Sequence, residues 1–198
     1  MTMRSRAIFV SLLIFLGMTG AGWAQDVPAF AVTPGVSTVK FSVSASVNVS
    51  GAFDKWDATL TFKSANASSG VLDIKIDAAS VNTGSGLKDR KLKGDDFFDV
   101  ANHPQITFHS TKITRTSPDT FVMDGDFTLR GVTKPEKLTL VVSGAGTGSG
   151  EIKGTMAFNR KDYGVNGEIP LVRIADRVEV TVDLKVKRVS GPALMAAQ

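Results

Sequence analysis

The sequence has 198 residues, no cysteine, and a net charge of +4 at pH 7 from 23 basic and 19 acidic side chains. This length fits one domain with a substantial core, and a core of that size needs no disulfide bonds. The near balance of charges gives no basis for nucleic acid binding. Without cysteine, no lipid can be attached through a thiol.

The first segment predicts export. Arg4 and Arg6 precede an apolar run over residues 7–18, and small residues follow up to Ala24. This run is shorter than the roughly 20 residues of a membrane-spanning helix, so we expect a cleaved secretory signal peptide over residues 1–24 rather than an uncleaved anchor. The mature chain would be a single domain over residues 25–198, begin at Gln25 and reside in the periplasm of a two-membrane bacterium.

Most of the remaining chain alternates apolar and polar residues. From Val39 to Val49 every odd position is apolar and every even position is polar, which is typical of a strand with one dry face. The alternation recurs in at least six later segments, separated by turn signals such as those at residues 66–70, 117–119 and 144–150. Such strands favour an antiparallel sheet, and closing about eight of them into a barrel would bury the dry faces. The expected class is therefore all-β.

The same alternation predicts which way individual side chains point. Four phenylalanines are expected to face the barrel interior: Phe41, Phe108, Phe127 and Phe158. Their polar neighbours are expected to face solvent: Lys40, His109, Asp126 and Asn159. A shift of one residue would invert each strand.

One charged segment breaks the pattern. Residues 86–94 predict a short helix, with Leu87 and Leu92 near helical spacing and Gly94 as its C-cap. Phe97 and Phe98 follow, either as a fixed plug or as a gate for ligand entry. The basic residues of the helix form either a solvated face or a surface that docks to an anionic membrane or a phosphate head group.

The dry faces are consistent with an ordinary core or with a ligand cavity. Small residues among the large inward ones favour space: Ala45, Ala58, Ala78, Gly125 and Gly154. We therefore expect a continuous apolar tunnel with its mouth near Phe97 and Phe98. The expected ligand-binding residues are Phe41, Val43, Leu60, Phe97, Phe98, Phe108, Phe127, Met156 and Phe158.

Catalytic and metal-binding patterns are not evident in the sequence. His103 and His109 are the two histidines, and no third ligand stands at metal spacing. There is no G-x-S-x-G nucleophile motif and no nucleotide-binding glycine motif. We expect no enzymatic activity, no metal and no cofactor.

Three segments resemble the YceI-like, polyisoprenoid-binding family: residues 94–108, residues 125–135 and residues 159–164. The resemblance covers essentially all of residues 25–198 in the family's order. It implies a lipocalin-like antiparallel barrel with a helix near one mouth and an interior channel for a polyprenyl chain, a quinone tail or a fatty amide. Family members often carry histidines where this chain has Val36, Ser46 and Lys91, so the resemblance implies the apolar channel but not the polar head-group contacts.

The leading hypothesis is an exported carrier or sequestering protein whose partner is a long-chain lipid or isoprenoid. A membrane surface is a second candidate partner, and nucleic acid is not expected. The alternative is an envelope stress or interaction protein with a side-chain-filled barrel and no lipid cargo. An enzyme acting on a bound lipid ranks third. The oligomeric state is left open, a dimer included.

Overall fold

The alternating segments form eleven β-strands of one antiparallel sheet in the computed structural model, which describes residues 27–46, 49–144, 147–168, 171 and 173–194. The strands are β1 (Ala29–Val32), β2 (Thr38–Ala45), β3 (Val49–Phe53), β4 (Trp56–Phe62), β5 (Gly70–Asp77), β6 (Val81–Asn82), β7 (Gln105–Arg115), β8 (Thr120–Leu129), β9 (Val132–Ser143), β10 (Ser149–Asn159) and β11 (Ile174–Ser190). One helix, α1 (Gly86–Lys93), joins β6 to β7. Within these ranges no helix is long and apolar enough to cross a membrane. The signal peptide expected over residues 1–24 lies outside the described residues.

The sheet curls into a barrel in which three pairs of short strands each take the place of one bent strand: β1 with β2, β3 with β4, and β5 with β6. β1 and β2 pair with successive parts of β11. β3 runs into β4 while β6 and β5 pair with them, and the Asp54 amide donates to the Ser80 carbonyl across the bend at 3.1 Å. β1 closes against β4 through the rings of Phe30 and Phe62, whose centroids lie 5.8 Å apart. The predicted all-β, lipocalin-like barrel of about eight strands is confirmed.

The predicted orientations are confirmed for all four pairs of neighbouring residues. The four phenylalanines expected inside are at most 8% exposed, and their four polar neighbours are exposed: Phe41, Phe108, Phe127 and Phe158 against Lys40, His109, Asp126 and Asn159. The long strand expected over residues 39–49 is instead two strands of a hairpin, in which Val43 pairs with Val49. The alternation continues across the turn because residues that pair directly across a hairpin lie on the same face of the sheet, as the two valines do.

Helix α1 forms where expected but differs in detail. Leu92 is buried, whereas Leu87 is 74% exposed, because residues five apart on a helix are too far round it to share one face. Gly94 ends the helix with extended backbone (φ −69°) rather than a left-handed cap. Its carbonyl accepts hydrogen bonds from the amides of Phe97 and Asp99, which turns the chain across the end of the barrel.

Candidate functional site

The barrel end covered by α1 contains an apolar space of about 90 Å³, which we call the mouth compartment. Strands β2, β3, β7, β8, β10 and β11 supply its walls, and the segment after α1 supplies its cover. Its lining includes Phe41, Val43, Phe53, Phe97, Phe98, Phe127, Phe158, Arg160, Val165 and Val178. Inward-facing positions of several strands converge here because each strand sends alternate side chains to the same interior.

Phe97 is a fixed part of the cover. Its ring is buried and lies directly on Gly167, where an added Cβ would come within 2.6 Å of a ring carbon. The Lys91 ammonium stands 5.5 Å from the ring centroid on another side. The Arg130 guanidinium donates to the Phe97 carbonyl at 3.0 Å and also to the Asp95 carbonyl. These contacts suit the plug interpretation for Phe97.

Phe98 is held differently. Its ring is only partly buried and contacts Phe41 and Phe53, with centroids 6.2 Å and 5.9 Å away. Both contacts are to other side chains rather than to backbone, so rotation of Phe98 breaks no hydrogen bond. Of the two rings, Phe98 is therefore the one suited to act as a gate.

A buried arginine lies at the edge of the mouth compartment. Arg160 is 6% exposed, and its Nη1 donates to the carbonyls of Val165 at 2.8 Å and Gly167 at 3.1 Å. Its Nε donates to the Ala175 carbonyl at 3.1 Å, and its Nη2 lies 3.3 Å from the Asp176 carboxylate. Burial of a charge is tolerated only with such pairing. Arg160 thus ties Val165 and Gly167 to Ala175 and Asp176 at one side of the mouth.

Two aromatic rings of the compartment lining, Phe127 and Phe158, pack against the ring of Tyr163 behind them. Phe127, Phe158 and Tyr163 contact one another with centroids 5.0–5.3 Å apart. The buried Tyr163 hydroxyl donates to Glu136 at 2.8 Å. Burial, together with this bond to an acidic partner, raises the pKa of Tyr163, so the phenol stays neutral and serves as a structural donor.

The middle of the barrel is packed rather than open. The ring of Phe108 covers Gly125, where an added Cβ would lie 2.6 Å from the ring tip, and Leu140 and Leu138 cover Gly154 at 2.9 Å and 3.1 Å. A space of only about 30 Å³ remains there. The expectation that these glycines create room is wrong, because large neighbours lean into the gap that each missing side chain leaves.

The opposite end of the barrel contains a larger apolar space of about 300 Å³, which we call the far compartment. It lies beside the turns β4–β5 and β7–β8, and its lining includes Leu60, Phe62, Ala67, Phe121, Met123, Val142 and Leu194. It shares no lining residue with the mouth compartment. In the described part of the chain, packed side chains in the middle of the barrel therefore separate the mouth compartment from the far compartment, and the continuous tunnel that was expected is not formed.

The nine residues expected to bind ligand divide accordingly. Phe41, Val43, Phe97, Phe98, Phe127 and Phe158 line the mouth compartment. Phe108 and Met156, with Phe127, line the narrow middle space, and Leu60 lines the far compartment. Their contact with a ligand stays a prediction. The residues at the departures from the family pattern, Val36, Ser46 and Lys91, line neither compartment.

Arg160, Val165 and Tyr163 were missed by the sequence reasoning. All three are buried. The available signal was the turn over residues 159–164, in which Arg160 and the aromatic Tyr163 precede Gly164. Gly164 has φ +72°, a conformation that favours glycine.

The histidines lie outside both compartments. His109 Nδ1 lies 2.6 Å from the Asp73 carboxylate on the outer face. The ring of His103 packs over Gly131 in the β8–β9 turn. Among the residues that the structure describes, no three histidine, aspartate or glutamate side chains are grouped closely enough to hold a metal ion.

Comparison with known proteins gives consistent matches. The family model for the YceI-like domain matches residues 30–186. A UPF0312 protein of Pseudomonas savastanoi pv. phaseolicola is 31% identical over 133 residues, which cover 65% of this chain and 69% of that protein. The crystal structure of Burkholderia cenocepacia BcnA is similar with a TM-score of 0.71 at 26% identity, covering 78% of this chain and 99% of the other. A polyisoprenoid binding domain from Saccharophagus degradans, implicated in plant cell wall breakdown, shares the fold with a TM-score of 0.61 at 16% identity, covering 81% and 99%.

Proposed function

This chain belongs to the YceI-like family, and we propose that it is an exported, non-enzymatic carrier or sequestering protein that binds a long apolar ligand through the mouth compartment. The observation that carries the proposal is the apolar space behind Phe97 and Phe98, which one partly buried ring separates from solvent. A polyisoprenoid, a quinone tail and a fatty amide are the chemistries that suit such a lining. The polyisoprenoid binding of the Saccharophagus domain that shares this fold agrees with the first of these.

Desolvation would supply the affinity. Each methylene that leaves water contributes about 0.8 kcal/mol, so a chain of many carbons needs few polar contacts. At about 90 Å³ the mouth compartment takes only the end of such a chain as it stands. Binding of more of the chain requires Phe98 to rotate and neighbouring side chains to repack.

A bulky substitution inside the mouth compartment tests the proposal. Val43→Trp would fill the space, whereas Val141→Trp places the same ring on an exposed position of β9 as a matched control. Protein purified from an envelope fraction is extracted with solvent, and the extract is analysed by mass spectrometry. We expect an apolar lipid from the wild type and from Val141→Trp, and none from folded Val43→Trp. A wild-type extract without lipid would refute the carrier function.

A side-chain-filled barrel without cargo, acting in envelope stress or interaction, is the second candidate. The packing of Phe108 over Gly125 and of Leu140 over Gly154 favours it, because the middle of the barrel has little room for a chain. The same extraction separates the two candidates, since this one predicts no lipid even from the wild type.

Export to the periplasm is part of the proposal and rests on the signal peptide pattern of residues 1–24. Cleavage after Ala24 would give a mature chain that starts at Gln25. The intact mass of protein recovered from the envelope fraction measures this directly. A mass that starts at Met1 would contradict cleavage.

We propose that a membrane surface is a second partner, which the protein contacts through helix α1. Lys88, Arg90 and Lys91 are exposed on the helix beside the mouth, as is Leu87. Basic side chains around an exposed apolar one suit docking on an anionic lipid surface. Flotation with phosphatidylglycerol vesicles should recover the wild type and lose the double variant Lys88→Ala, Arg90→Ala. Equal recovery of both would leave the helix as a solvated face.

A further inference from the structure

We infer that the far compartment is a second ligand site, which binds a compact, uncharged apolar molecule independently of the mouth compartment. The site is bordered by the β4–β5 turn at Ala67, by the β7–β8 turn at Asp119 and by Leu194 after the last strand. Its walls come from Phe121, Met123 and Val142. This inference does not depend on the carrier function proposed for the mouth.

The far compartment is large enough to hold a small molecule. The far compartment measures about 300 Å³ against about 90 Å³ for the mouth compartment. A cavity of roughly 150 Å³ lined by aliphatic and aromatic side chains is known to stay dry and to bind benzene. A space of twice that size suits a molecule of about two fused rings or a compact branched hydrocarbon.

The far compartment is separated from the mouth compartment. The residues that cover Gly125 and Gly154 stand between the two ends of the barrel, and neither compartment shares a lining residue with the other. The amide of Leu72, which also lines the far compartment, donates to the buried Ser110 hydroxyl at 2.8 Å. This bond ties β5 to β7 and holds the wall in place. A ligand at the far end therefore need not displace one at the mouth.

Charge decides the class of ligand. Asp119 is the ionisable residue in the lining, and its carboxylate already accepts hydrogen bonds from the hydroxyls of Ser117 at 2.8 Å and Thr120 at 3.1 Å. These bonds, together with the nearby Arg115 guanidinium, hold the pKa of Asp119 below its usual value, so the carboxylate stays ionised and paired at the border. The other lining side chains are apolar and offer no polar partner to a head group, so the compartment suits an uncharged apolar molecule.

Fluorescence titration with N-phenyl-1-naphthylamine, an uncharged aromatic probe, tests the inference on full-length protein refolded free of lipid. Val142→Trp would fill the far compartment from β9, and Val141→Trp, the outward neighbour on the same strand, is the matched control. Ala67→Trp fills the same space from a turn if Val142→Trp does not fold. Val43→Trp reports on the mouth compartment. Thermal melts establish that each variant is folded.

We expect the wild type and Val141→Trp to bind two equivalents of probe. Val142→Trp or Ala67→Trp should remove one equivalent, and Val43→Trp should remove the other. A single equivalent that only Val43→Trp removes would overturn the second site and leave the carrier function intact. A single equivalent removed by either filling variant would show one shared channel, which also overturns it.

The chain after β11 provides a further control, because Leu194 already contacts the far compartment and apolar residues follow it in the sequence. Removal of residues 193–198 should leave two equivalents. If the second equivalent appears only after this removal, the site is occupied by the protein's own tail, and the inference is wrong. Failure of the carrier function is read separately, from the lipid extract and from the equivalent that is sensitive to Val43→Trp.

Discussion

Replacement of Gly125 by alanine measures whether the middle of the barrel is packed. An added Cβ would lie 2.6 Å from the His109 carbonyl oxygen and 2.6 Å from the tip of the Phe108 ring. The ring could move but the carbonyl belongs to the neighbouring strand, so the strands must separate locally. Gly154→Ala is the matched comparison, because its nearest atoms are the tips of Leu140 at 2.9 Å and Leu138 at 3.1 Å.

The two substitutions should differ in their effect on the free energy of unfolding. In open space, alanine in place of a strand glycine stabilises by about 0.5–1 kcal/mol. Overpacking costs about 1–3 kcal/mol, so we expect Gly125→Ala to lose about 2 kcal/mol and its Tm to fall by about 4–8 °C. Gly154→Ala should stay within about 1 kcal/mol of the wild type, since flexible side-chain tips can shift.

Thermal unfolding followed by circular dichroism measures both values. Phe108→Leu removes the ring tip, so alanine at Gly125 should cost less in that background, while the residual cost reports the clash with the His109 carbonyl. A coupling of about 0.5–3 kcal/mol is typical of side chains in contact. If Gly125→Ala melts at or above the wild-type temperature, the middle of the barrel is open and does not separate the mouth compartment from the far compartment.

Three further predictions concern polar groups. In urea unfolding, Arg160→Met should lower the free energy of unfolding by about 3–5 kcal/mol, because it breaks a buried charge network. Lys161→Met removes an exposed partner of the same carboxylate and should cost about 1 kcal/mol or less. Equal costs would contradict the role of Arg160 in holding one side of the mouth. Ser110→Ala should cost about 1–3 kcal/mol by leaving a buried strand amide without an acceptor, and a neutral result in the same assay would refute this. Hydrogen bonding chiefly from Lys185 holds the pKa of Glu151 below its usual value of 4.5, so this carboxylate stabilises the fold above that pH and its contribution is lost as the pH falls through the folded-state value. Glu151→Gln should therefore flatten the acid side of the stability profile, and an unchanged profile would contradict the assignment.

The alternation of residue types was sufficient to predict the barrel and its faces. Side chains in a strand have a period of two, so Phe41 and Lys40 could be assigned to opposite faces without knowledge of the partner strands. The mouth was predictable for a different reason, since Phe97 and Phe98 follow the one charged helical segment. The assignment of faces depends on local sequence alone, whereas the position of the mouth also rested on the resemblance to the YceI-like family.

The filling of the interior depends on contacts between strands and could not be read in this way. In the sequence Gly125 is only a missing side chain, but in the sheet the ring of Phe108 and the His109 carbonyl of β7 occupy the space beside it, next to a register shift between Ser110 and Lys112. Arg160 looks like a surface charge, because composition does not reveal that three backbone carbonyls converge on it.

The clamp formed by Arg160 makes the two sides of the mouth unequal in their freedom to move. Separation of Val165 and Gly167 from Ala175 and Asp176 requires four polar contacts of the Arg160 side chain to break, whereas rotation of the Phe98 ring breaks no hydrogen bond. The barrier to passage is therefore set at Phe98. Because Phe98 also lines the mouth compartment, a smaller side chain at this position would speed both the entry and the exit of a chain and would remove part of the apolar lining that contacts it.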